Sequence, residues 1–339
     1  MKNGKLGVCV VGCGDLGTRH AACWNNLPDA EVIAVVDTRV DRAEKNMKLF
    51  NLDRFYTDYR EAISLPEVDV VSVCIPTYLH PEVSIYALDH KKHVLCEKPI
   101  ALTVEEADKM IDAAHRNQRQ LGLGFMRRHT PVMGQLKELV QSQKLGRPVM
   151  YHASDIRSIR PKIEMHDATK NGGPVIDMSV HVIDIWNTIF ASKPVSVYAQ
   201  GLKMAANRPE ITGVKEVAID TATIVVKYAS GDIGTFVVTW GTPPGVTPEP
   251  HRDKIYGPKG LAAIEWGMLH QQVQVLQEGG EWINIMECTD NFYQTQIERF
   301  AYEIMNGFPV SVSGEDGRAA LRVAVAALKS IYSGQVELL

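Results

Sequence analysis

Short apolar runs, separated by mixed segments that suit helices, make up the first third of the chain. The runs predict strands at residues 6–11, 31–36, 68–75, 93–96 and 121–124. Helices are predicted between them, at residues 18–27, 41–50, 82–90 and 103–117. Several runs are too apolar to alternate, which is typical of strands covered on both faces. This alternation predicts an α/β fold with a doubly wound parallel sheet.

The pattern changes to alternating apolar and polar positions beyond residue 195. Strands are predicted there at residues 221–228, 234–240, 253–256, 261–266 and 272–276. Helices are predicted at residues 131–143, 291–306 and 315–333, and a Pro/Gly-rich loop at 241–250 is expected beside the functional site. The chain therefore divides into residues 1–125 and residues 126–339. The second domain is expected to be α+β, with a large open, mostly antiparallel sheet and helices on one side.

A glycine-rich turn joins the first predicted strand to the first helix. Its sequence, GCGDLG, has the GxGxxG spacing of a nucleotide-binding turn in the proper context. Gly12 allows a tight turn, Gly14 lets the backbone approach a pyrophosphate, and Gly17 lets the helix pack on the strand. Asp15 and Leu16 lie within the turn, directly before the predicted helix, whose free N–H groups face the phosphates. The turn predicts that residues 1–125 are a Rossmann domain.

An acidic residue ends the second predicted strand. Asp37 lies 20 residues beyond Gly17, where a carboxylate accepts both ribose hydroxyls and repels a 2′-phosphate. This favours NAD, although a solvated aspartate is the alternative explanation. Arg39 could also bind a phosphate, so NADP stays open.

The loop after the third strand lies at the edge where open α/β sheets bind ligands. Backbone at Pro76 and Thr77 is expected to line the nicotinamide ribose. His80 is a cofactor contact or simply the start of the next helix, and the sequence does not separate these alternatives.

The fourth strand ends at Glu97-Lys98-Pro99 on the same edge. A proline restricts the backbone that precedes it, and the Lys98–Pro99 bond could be cis. Lys98, so held, can hydrogen-bond a substrate hydroxyl, whereas an exposed surface lysine is the competing interpretation.

A second cluster of polar residues lies in the segment 171–184. Asp177, His181 and Asp184 would point to one side if this segment were a helix. Histidine has a pKa suited to removing a hydroxyl proton, and a carboxylate can orient its ring. A divalent metal site completed by His166 or Asp167 is one alternative, although no HExxH-like spacing supports it. A structural polar cluster is another.

Composition excludes several classes of protein. The 339 residues are 45% hydrophobic and 22% charged, which suits two soluble globular domains. The net charge is −4 and no basic run occurs, so nucleic acid is not an expected partner. No apolar run approaches a membrane span, and the early first strand leaves no room for a signal peptide, so we expect a cytoplasmic protein. Six cysteines without a CxxC pair suggest buried thiols.

The glycine turn, the acidic end of the second strand and Glu97-Lys98-Pro99 together resemble the Gfo/Idh/MocA oxidoreductase family. Phe125-Met126-Arg127-Arg128 resembles a stretch found in the inositol-dehydrogenase branch. The family pattern GGGxxxDxGxHxxD matches at Asp177, His181 and Asp184, while Asn171 and Ser179 replace two of its glycines.

The resemblance implies an NAD-dependent dehydrogenase that oxidises a secondary hydroxyl of a cyclitol or sugar, with myo-inositol as first candidate. Lys98, Asp177 and His181 would be the catalytic set and no metal would be needed. The implied cofactor-site residues are Gly12, Gly14, Asp15, Leu16, Gly17, Asp37, Arg39, Pro76, Thr77, His80, Glu97 and Lys98. The substrate would also contact Met126, Arg127 and Arg157, and the protein would be a homo-oligomer, dimer or tetramer.

Three alternatives remain open from the sequence. Arg157, Arg160 and Lys162 could instead bind a carboxylate or phosphate, as in a sugar-acid or nucleotide-sugar dehydrogenase. An NAD-retaining glycosidase and a non-enzymatic sugar-sensing regulator would share the fold. Net reduction of added NAD separates the dehydrogenase from both.

Overall fold

The computed structural model describes residues 4–246, 252–267, 270–277 and 279–339, so part of the predicted loop at 241–250 lies outside the described residues. The chain forms two compact units. Unit 1 consists of Met1–His129 and Phe292–Arg318, and unit 2 of Thr130–Asn291 and Ala319–Leu339. The division drawn from the sequence placed residues 292–318 in the second domain, whereas here they pack within unit 1.

A parallel sheet forms the centre of unit 1. Its strands in the described residues are β1 (Leu6–Val11), β2 (Ala30–Val36), β3 (Val70–Val73), β4 (His93–Cys96) and β5 (Leu121–Leu123), in the order β2-β1-β3-β4-β5. The helices of the same stretch are α1 (Asp15–Asn25), α2 (Val40–Leu49), α3 (Tyr59–Ile63), α4 (His80–Asp89) and α5 (Val104–Asn117). Each strand pair is parallel, and β1 and β3 are buried along their whole length. The predicted doubly wound sheet is confirmed.

The strand order reverses between β1 and β3, and ligands of open α/β sheets bind outside the carboxyl ends of the strands at such a point. The glycine turn follows β1, Asp37 follows β2, Pro76 comes shortly after β3, and Glu97 follows β4. The sheet therefore brings four separate predicted cofactor segments to one edge.

Unit 2 is built on a large mixed sheet. Its elements up to residue 291 are α6 (Pro131–Gln141), β6 (Met150–Ser158), α7 (Gly173–Asp177), α8 (Ser179–Phe190), β7 (Pro194–Leu202), β8 (Thr221–Tyr228), β9 (Ile233–Thr242), β10 (Arg252–Gly257), β11 (Gly260–Trp266), β12 (Gln271–Gln277) and β13 (Ile283–Cys288). Strands in the described residues follow the order β13-β12-β11-β10-β6-β9-β8-β7-β14, where β14 is Glu337–Leu338. The pair β6–β9 is parallel and the other pairs are antiparallel. The prediction of a mostly antiparallel sheet is confirmed.

The helix α8 packs against this sheet. Gly234 on β9 leaves room for the Trp186 indole, because a Cβ at that position would overlap with the ring. Trp186 also contacts Tyr151 of β6 edge to face, with ring centroids 6.3 Å apart. This packing fixes α8, which carries His181, on the rigid centre of the sheet.

Two helices follow β13, namely α9 (Phe292–Met305) and α10 (Gly314–Ser333). Phe300 of α9 packs edge to face on Trp24 of α1, and a Cβ at Gly122 would lie 2.6 Å from its ring. Ile297 and Phe300 are buried in the same apolar core as β1 and β2. The core of unit 1 is therefore completed by residues from the far end of the chain.

Candidate active site

The glycine turn has the geometry that a dinucleotide requires. Gly12 has φ +100°, and its N–H donates to Val36 O at 2.8 Å. A Cβ at Gly12 or at Gly17 would overlap with backbone, the carbonyl of Cys74 in the first case and of Gly12 in the second. A Cβ at Gly14 would meet only Arg42 Nη1, at 4.0 Å. Two glycines are therefore needed for packing, while Gly14 faces the open space that a pyrophosphate would occupy.

The first turn of α1 begins directly at this space. Asp15 is exposed and Leu16 half-buried, and the N–H of Thr18 donates to Gly14 O at 2.9 Å. The N–H groups at the start of an α-helix precede its i→i−4 pattern, so those of α1 can bind phosphate oxygens.

Two backbone N–H groups hold the carboxylate of Asp37 in place. Its Oδ2 accepts from the Cys13 N–H at 2.8 Å, and its Oδ1 accepts from the Arg39 N–H at 2.9 Å. The carboxylate is thereby fixed beside the glycine turn, where it can still accept ribose hydroxyls through its remaining lone pairs.

The loop after β3 turns into a short 3₁₀ helix at Thr77–Leu79. Pro76 is exposed and Thr77 is buried. His80 is also buried, with its Nδ1 2.7 Å from Pro99 O and its Nε2 2.9 Å from Ile75 O. Burial lowers its pKa. The imidazole thus lies between the Pro99 carbonyl and the loop after β3, and His80 is also the first residue of α4, the position that the sequence offered as the alternative to a cofactor contact.

A buried network lies directly before Lys98. Glu97 Oε1 is 2.9 Å from His20 Nε2, and His20 Nδ1 is 2.8 Å from Ser72 Oγ. The other carboxylate oxygen of Glu97 accepts from the Lys98 N–H at 3.2 Å. Lys98 itself is half-buried, and its bond to Pro99 is cis. Glu97 was predicted as a cofactor contact, and its carboxylate points into this network.

The helix α9 covers the same network from the other side. The Tyr293 ring is 6.0 Å from the His20 ring, and the Arg19 guanidinium lies 4.9 Å above Tyr293. Burial raises the pKa of Tyr293 to about 12, and the Glu97 charge acts in the same direction. Sequence analysis missed His20, although it follows Gly17 by three residues and so lies on the same face of α1.

The stretch that resembled the inositol-dehydrogenase branch forms a 3₁₀ turn at Met126–His129, which packs on α9. Met126 and Arg127 are half-buried. Burial lowers the pKa of His129 to about 4.

The predicted catalytic residues of unit 2 lie on two short helices. Asp177 is the last residue of α7, whereas His181 and Asp184 lie three apart on α8. The segment is therefore not the single helix that their spacing suggested, because it breaks at Met178. Asp177, His181 and Asp184 are all at least 94% buried. Buried carboxylates and imidazole of this kind are retained for hydrogen bonding or for chemistry.

The two departures from the family pattern make local contacts. Asn171 Nδ2 donates to Asp177 Oδ1 at 3.2 Å, which positions the carboxylate. Ser179 is buried, and its hydroxyl donates to the Val175 carbonyl across the helix break. Both replacements thus support the backbone and leave Asp177 and His181 in place.

The three basic residues at the end of β6 and in the segment that follows it differ in their surroundings. Arg157 forms a bidentate pair with Asp155, at 2.5 and 2.7 Å. The Arg160 guanidinium lies 5.8 Å above the Trp240 ring, and its buried Nε has no hydrogen-bond partner in the part of the chain that the structure describes. Burial lowers the pKa of Arg160, Arg157 acts in the same direction, and Asp177 opposes both. Lys162 is exposed.

The candidate metal ligands have protein partners. His166 Nε2 accepts from the Arg160 N–H at 3.0 Å, and Asp167 Oδ1 accepts from the N–H and hydroxyl of Thr169 at 2.9 and 2.7 Å. Within the described ranges, no group of three or more His, Cys, Asp or Glu residues could hold a metal ion.

A parallel sheet with an open glycine turn and a fixed carboxylate after its second strand defines the class of dinucleotide-binding Rossmann domains. Residues 6–125 match the oxidoreductase family with an NAD-binding Rossmann fold, and residues 137–338 match its C-terminal alpha/beta domain. The chain therefore belongs to the Gfo/Idh/MocA oxidoreductase family.

Individual relatives agree with this assignment. The chain is 30% identical over 328 residues to a myo-inositol 2-dehydrogenase of Thermotoga maritima, covering 95% of each chain. It is 27% identical to a scyllo-inositol 2-dehydrogenase (NAD(+)) of Bacillus subtilis, over 96% of this chain and 94% of the other. The fold is shared with an aldose-aldose oxidoreductase of Caulobacter crescentus, with TM-score 0.87, 23% identity, and 99% and 100% coverage. The protein is an oxidoreductase of this family. Among the described residues, no helix is long and apolar enough to cross a membrane.

Proposed function

We propose that this protein is an NAD-dependent dehydrogenase that oxidises a secondary hydroxyl of a cyclitol or sugar, with myo-inositol as the first substrate to test. The observation that carries the proposal is the similarity over 95% of both chains to a myo-inositol 2-dehydrogenase. The buried Asp177 and His181 supply the groups that alcohol oxidation needs. The match of Met126 and Arg127 to the inositol branch supports the choice of substrate.

Each of the three proposed catalytic residues has a distinct task. His181 removes the hydroxyl proton, and Asp177 orients the imidazole and stabilises its cationic form. Lys98 hydrogen-bonds the same oxygen and favours its negative charge as the proton leaves. The nicotinamide, when bound, accepts the hydride from the carbon. Glu97 holds the Lys98 backbone through the 3.2 Å hydrogen bond.

The adenosine half of the cofactor belongs at the glycine turn. N–H groups of the first turn of α1 bind the pyrophosphate, and Pro76 and Thr77 line the nicotinamide ribose. Asp37 accepts the ribose hydroxyls and repels a 2′-phosphate, so NAD is preferred to NADP. We assign residues 1–125 to cofactor binding, and residues 126–339 to substrate binding and oligomerisation.

Absorbance of NADH provides the test. Purified protein with NAD and myo-inositol, scyllo-inositol, aldoses, glycosides or sugar acids should produce NADH with a polyol or sugar. His181→Ala should lower kcat at least about a hundredfold while the Kd of NAD stays unchanged. His270→Ala is the matched control, since His270 is exposed and paired with Glu287 at 2.9 Å. Hydrolysis of a glycoside without net NADH would instead indicate the glycosidase, and NAD binding without turnover of any of these compounds the sensor.

A second candidate substrate is a sugar acid, favoured by Arg160. A buried guanidinium nitrogen without a hydrogen-bond partner is costly, and a planar carboxylate is its natural complement. Arg157 is a poorer candidate for binding the acid, because its Nε and Nη2 already donate to the two carboxylate oxygens of Asp155. Arg160→Leu should raise KM for acids and leave KM for neutral polyols unchanged.

We also propose a cytoplasmic homo-oligomer, a dimer or tetramer. All six cysteines are free thiols, which suits a reducing compartment.

The proposal of an oligomer is supported by large apolar side chains that are exposed on β7 and β8 of the large sheet, namely Tyr198, Leu202 and Val225. Light scattering of the purified protein measures the oligomer, and cell fractionation measures the location.

A further inference from the structure

An arginine beside the proposed ribose site is already paired with a carboxylate. Arg39 Nε donates to Asp41 Oδ1 at 3.1 Å, and Arg39 Nη2 donates to Asp41 Oδ2 at 2.7 Å. This bidentate arrangement uses the planar edge with which arginine also binds phosphate. Asp41 raises the pKa of Arg39, and Arg39 lowers the pKa of Asp41.

The pair is close to the carboxylate that is proposed to select the cofactor. The Arg39 N–H donates to Asp37 Oδ1 at 2.9 Å, so the two residues share one turn of backbone. Asp41 is in the first turn of α2, and the buried Asn46 of the same helix hydrogen-bonds the Cys13 carbonyl at 3.4 Å. The helix is therefore fastened to the glycine turn, which limits how far the pair can move from the ribose.

The charges around this position favour a neutral ribose. Asp37 repels a 2′-phosphate directly. Arg39 could attract that phosphate, but its guanidinium already donates hydrogen bonds to Asp41. A 2′-phosphate would have to displace Asp41 from the guanidinium edge before binding it. An NAD ribose needs no such displacement.

We propose that Asp41 is a specificity-determining residue, which disfavours NADP by occupying the guanidinium edge of Arg39 that would otherwise bind the 2′-phosphate. This inference rests on the proposed NAD preference. The usual sequence rule for an NAD site considers only the GxGxxG turn and the acidic residue after the second strand, which is Asp37 here. Asp41 is a further residue that this rule does not include. Asp41 acts through Arg39, whereas Asp37 acts on the ribose itself.

The expected effect is moderate because the pair is exposed. The Arg39 and Asp41 side chains are 58% and 66% accessible, and exposed ion pairs are screened by water and salt. Asp41→Asn should therefore lower the Kd of NADP by about fivefold at low salt, a typical effect for one exposed charge-assisted contact. The Kd of NAD should change less than about twofold, since no phosphate is bound at this place.

The experiment is a titration of NAD and NADP by protein fluorescence or calorimetry, with no turnover needed. Four proteins are compared, namely the wild type, Asp41→Asn, Arg39→Gln with Asp41→Asn, and Glu44→Gln. The double variant should lose the gain for NADP, because the released guanidinium is gone. Glu44→Gln removes the same charge from α2, where Glu44 pairs with Lys48 at 2.6 Å, and should leave both Kd values unchanged.

Three outcomes would overturn the inference. An unchanged Kd of NADP in Asp41→Asn would show that Asp41 has no role in selectivity. A gain that persists in the double variant, or appears in Glu44→Gln, would show that removal of negative charge alone is responsible. A wild-type protein that binds NADP more tightly than NAD would refute the NAD preference itself. The wild-type titration alone gives this result, so it is distinguished from a failure of the Asp41 inference.

Discussion

At the scale of single residues, His20 lies in a buried polar environment in unit 1. It is fully buried, with one ring nitrogen on Ser72 and the other on Glu97, which is also buried. Gly124 is required beside it, because a Cβ there would lie 2.6 Å from the Glu97 carboxyl carbon. Removal of His20 would take the imidazole partner from the buried Glu97 Oε1.

We expect His20→Ala to lower the free energy of unfolding by about 3 kcal/mol, because it leaves a buried carboxylate without its partner. Urea unfolding followed by fluorescence measures the change. His115→Ala is the control, since His115 pairs with Glu315 but both side chains are more than half exposed, at 69% and 54%. Equal stability of the two variants would contradict a structural role for the His20–Glu97 contact.

His93 makes stability depend on pH. Burial lowers its pKa to about 4, and its Nδ1 accepts from the Gln120 N–H at 3.1 Å, which requires the neutral ring. The unfolded chain takes up this proton near pH 6.5, so stability falls as the pH drops from about 6.5 to about 4. The loss is at most roughly 3 kcal/mol. His129 acts in the same direction.

Unfolding of His93→Gln in urea at pH 7, 6 and 5 tests this dependence. A glutamine oxygen can accept the same hydrogen bond without titrating. The wild type should therefore lose more stability than the variant between pH 7 and 5. Parallel curves would show that His93 is not the titrating group.

At the scale of elements, the glycine turn separates folding from binding. A Cβ at Gly17 would overlap with the Gly12 carbonyl, whereas one at Gly14 has space and ordinary backbone angles, φ −74° and ψ −172°. Gly17→Ala should destabilise the protein by about 3 kcal/mol or more, since backbone must move. Gly14→Ala should unfold like the wild type but bind NAD at least about tenfold more weakly, because the methyl group occupies the pyrophosphate space.

Thermal unfolding and NAD titration of both variants measure these effects. Tight NAD binding by Gly14→Ala would show that the pyrophosphate does not approach this part of the turn. Wild-type stability of Gly17→Ala would show that the strand and helix can separate at low cost.

At the scale of the whole molecule, unit 1 is discontinuous in sequence. Phe300 and Ile297 fill its core, and Leu123 N donates to Val312 O at 3.0 Å, which extends the edge of the sheet. A fragment of residues 1–129 should therefore expose the apolar surface under α9 and fail to fold cooperatively. Residues 1–129 joined by a short Gly/Ser linker to 292–318 should fold, because the turn at Met126–His129 packs on α9.

Circular dichroism, NMR dispersion and NAD binding of both fragments check this expectation. Cooperative unfolding of residues 1–129 alone, with a free energy equal to that of the joined fragment, would mean that α9 adds nothing to the core.

The sequence determined the order of secondary-structure elements and the class of chemistry. Hydrophobic periodicity is a local property, so strands such as β1, β4 and β8 were predicted with the bounds that the structure has. Other predicted elements differ by a few residues at their ends, and α3, β7 and β13 were not predicted. The GxGxxG turn and Asp37 were also identified from the sequence, because a strand–turn–helix motif is encoded by a short stretch of residues.

Only the tertiary structure decided which side chains meet across long separations. The pairing of Glu97 with His20, 77 residues away in the chain, and the unpartnered Nε of Arg160 within the described residues depend on how strands and helices pack, which no short window of sequence contains. The break at Met178 and the return of residues 292–318 to unit 1 have the same origin, because packing in a shared core overrides local periodicity. Local patterns specify elements and motifs, whereas burial and hydrogen-bond partners arise from contacts between residues far apart in the chain.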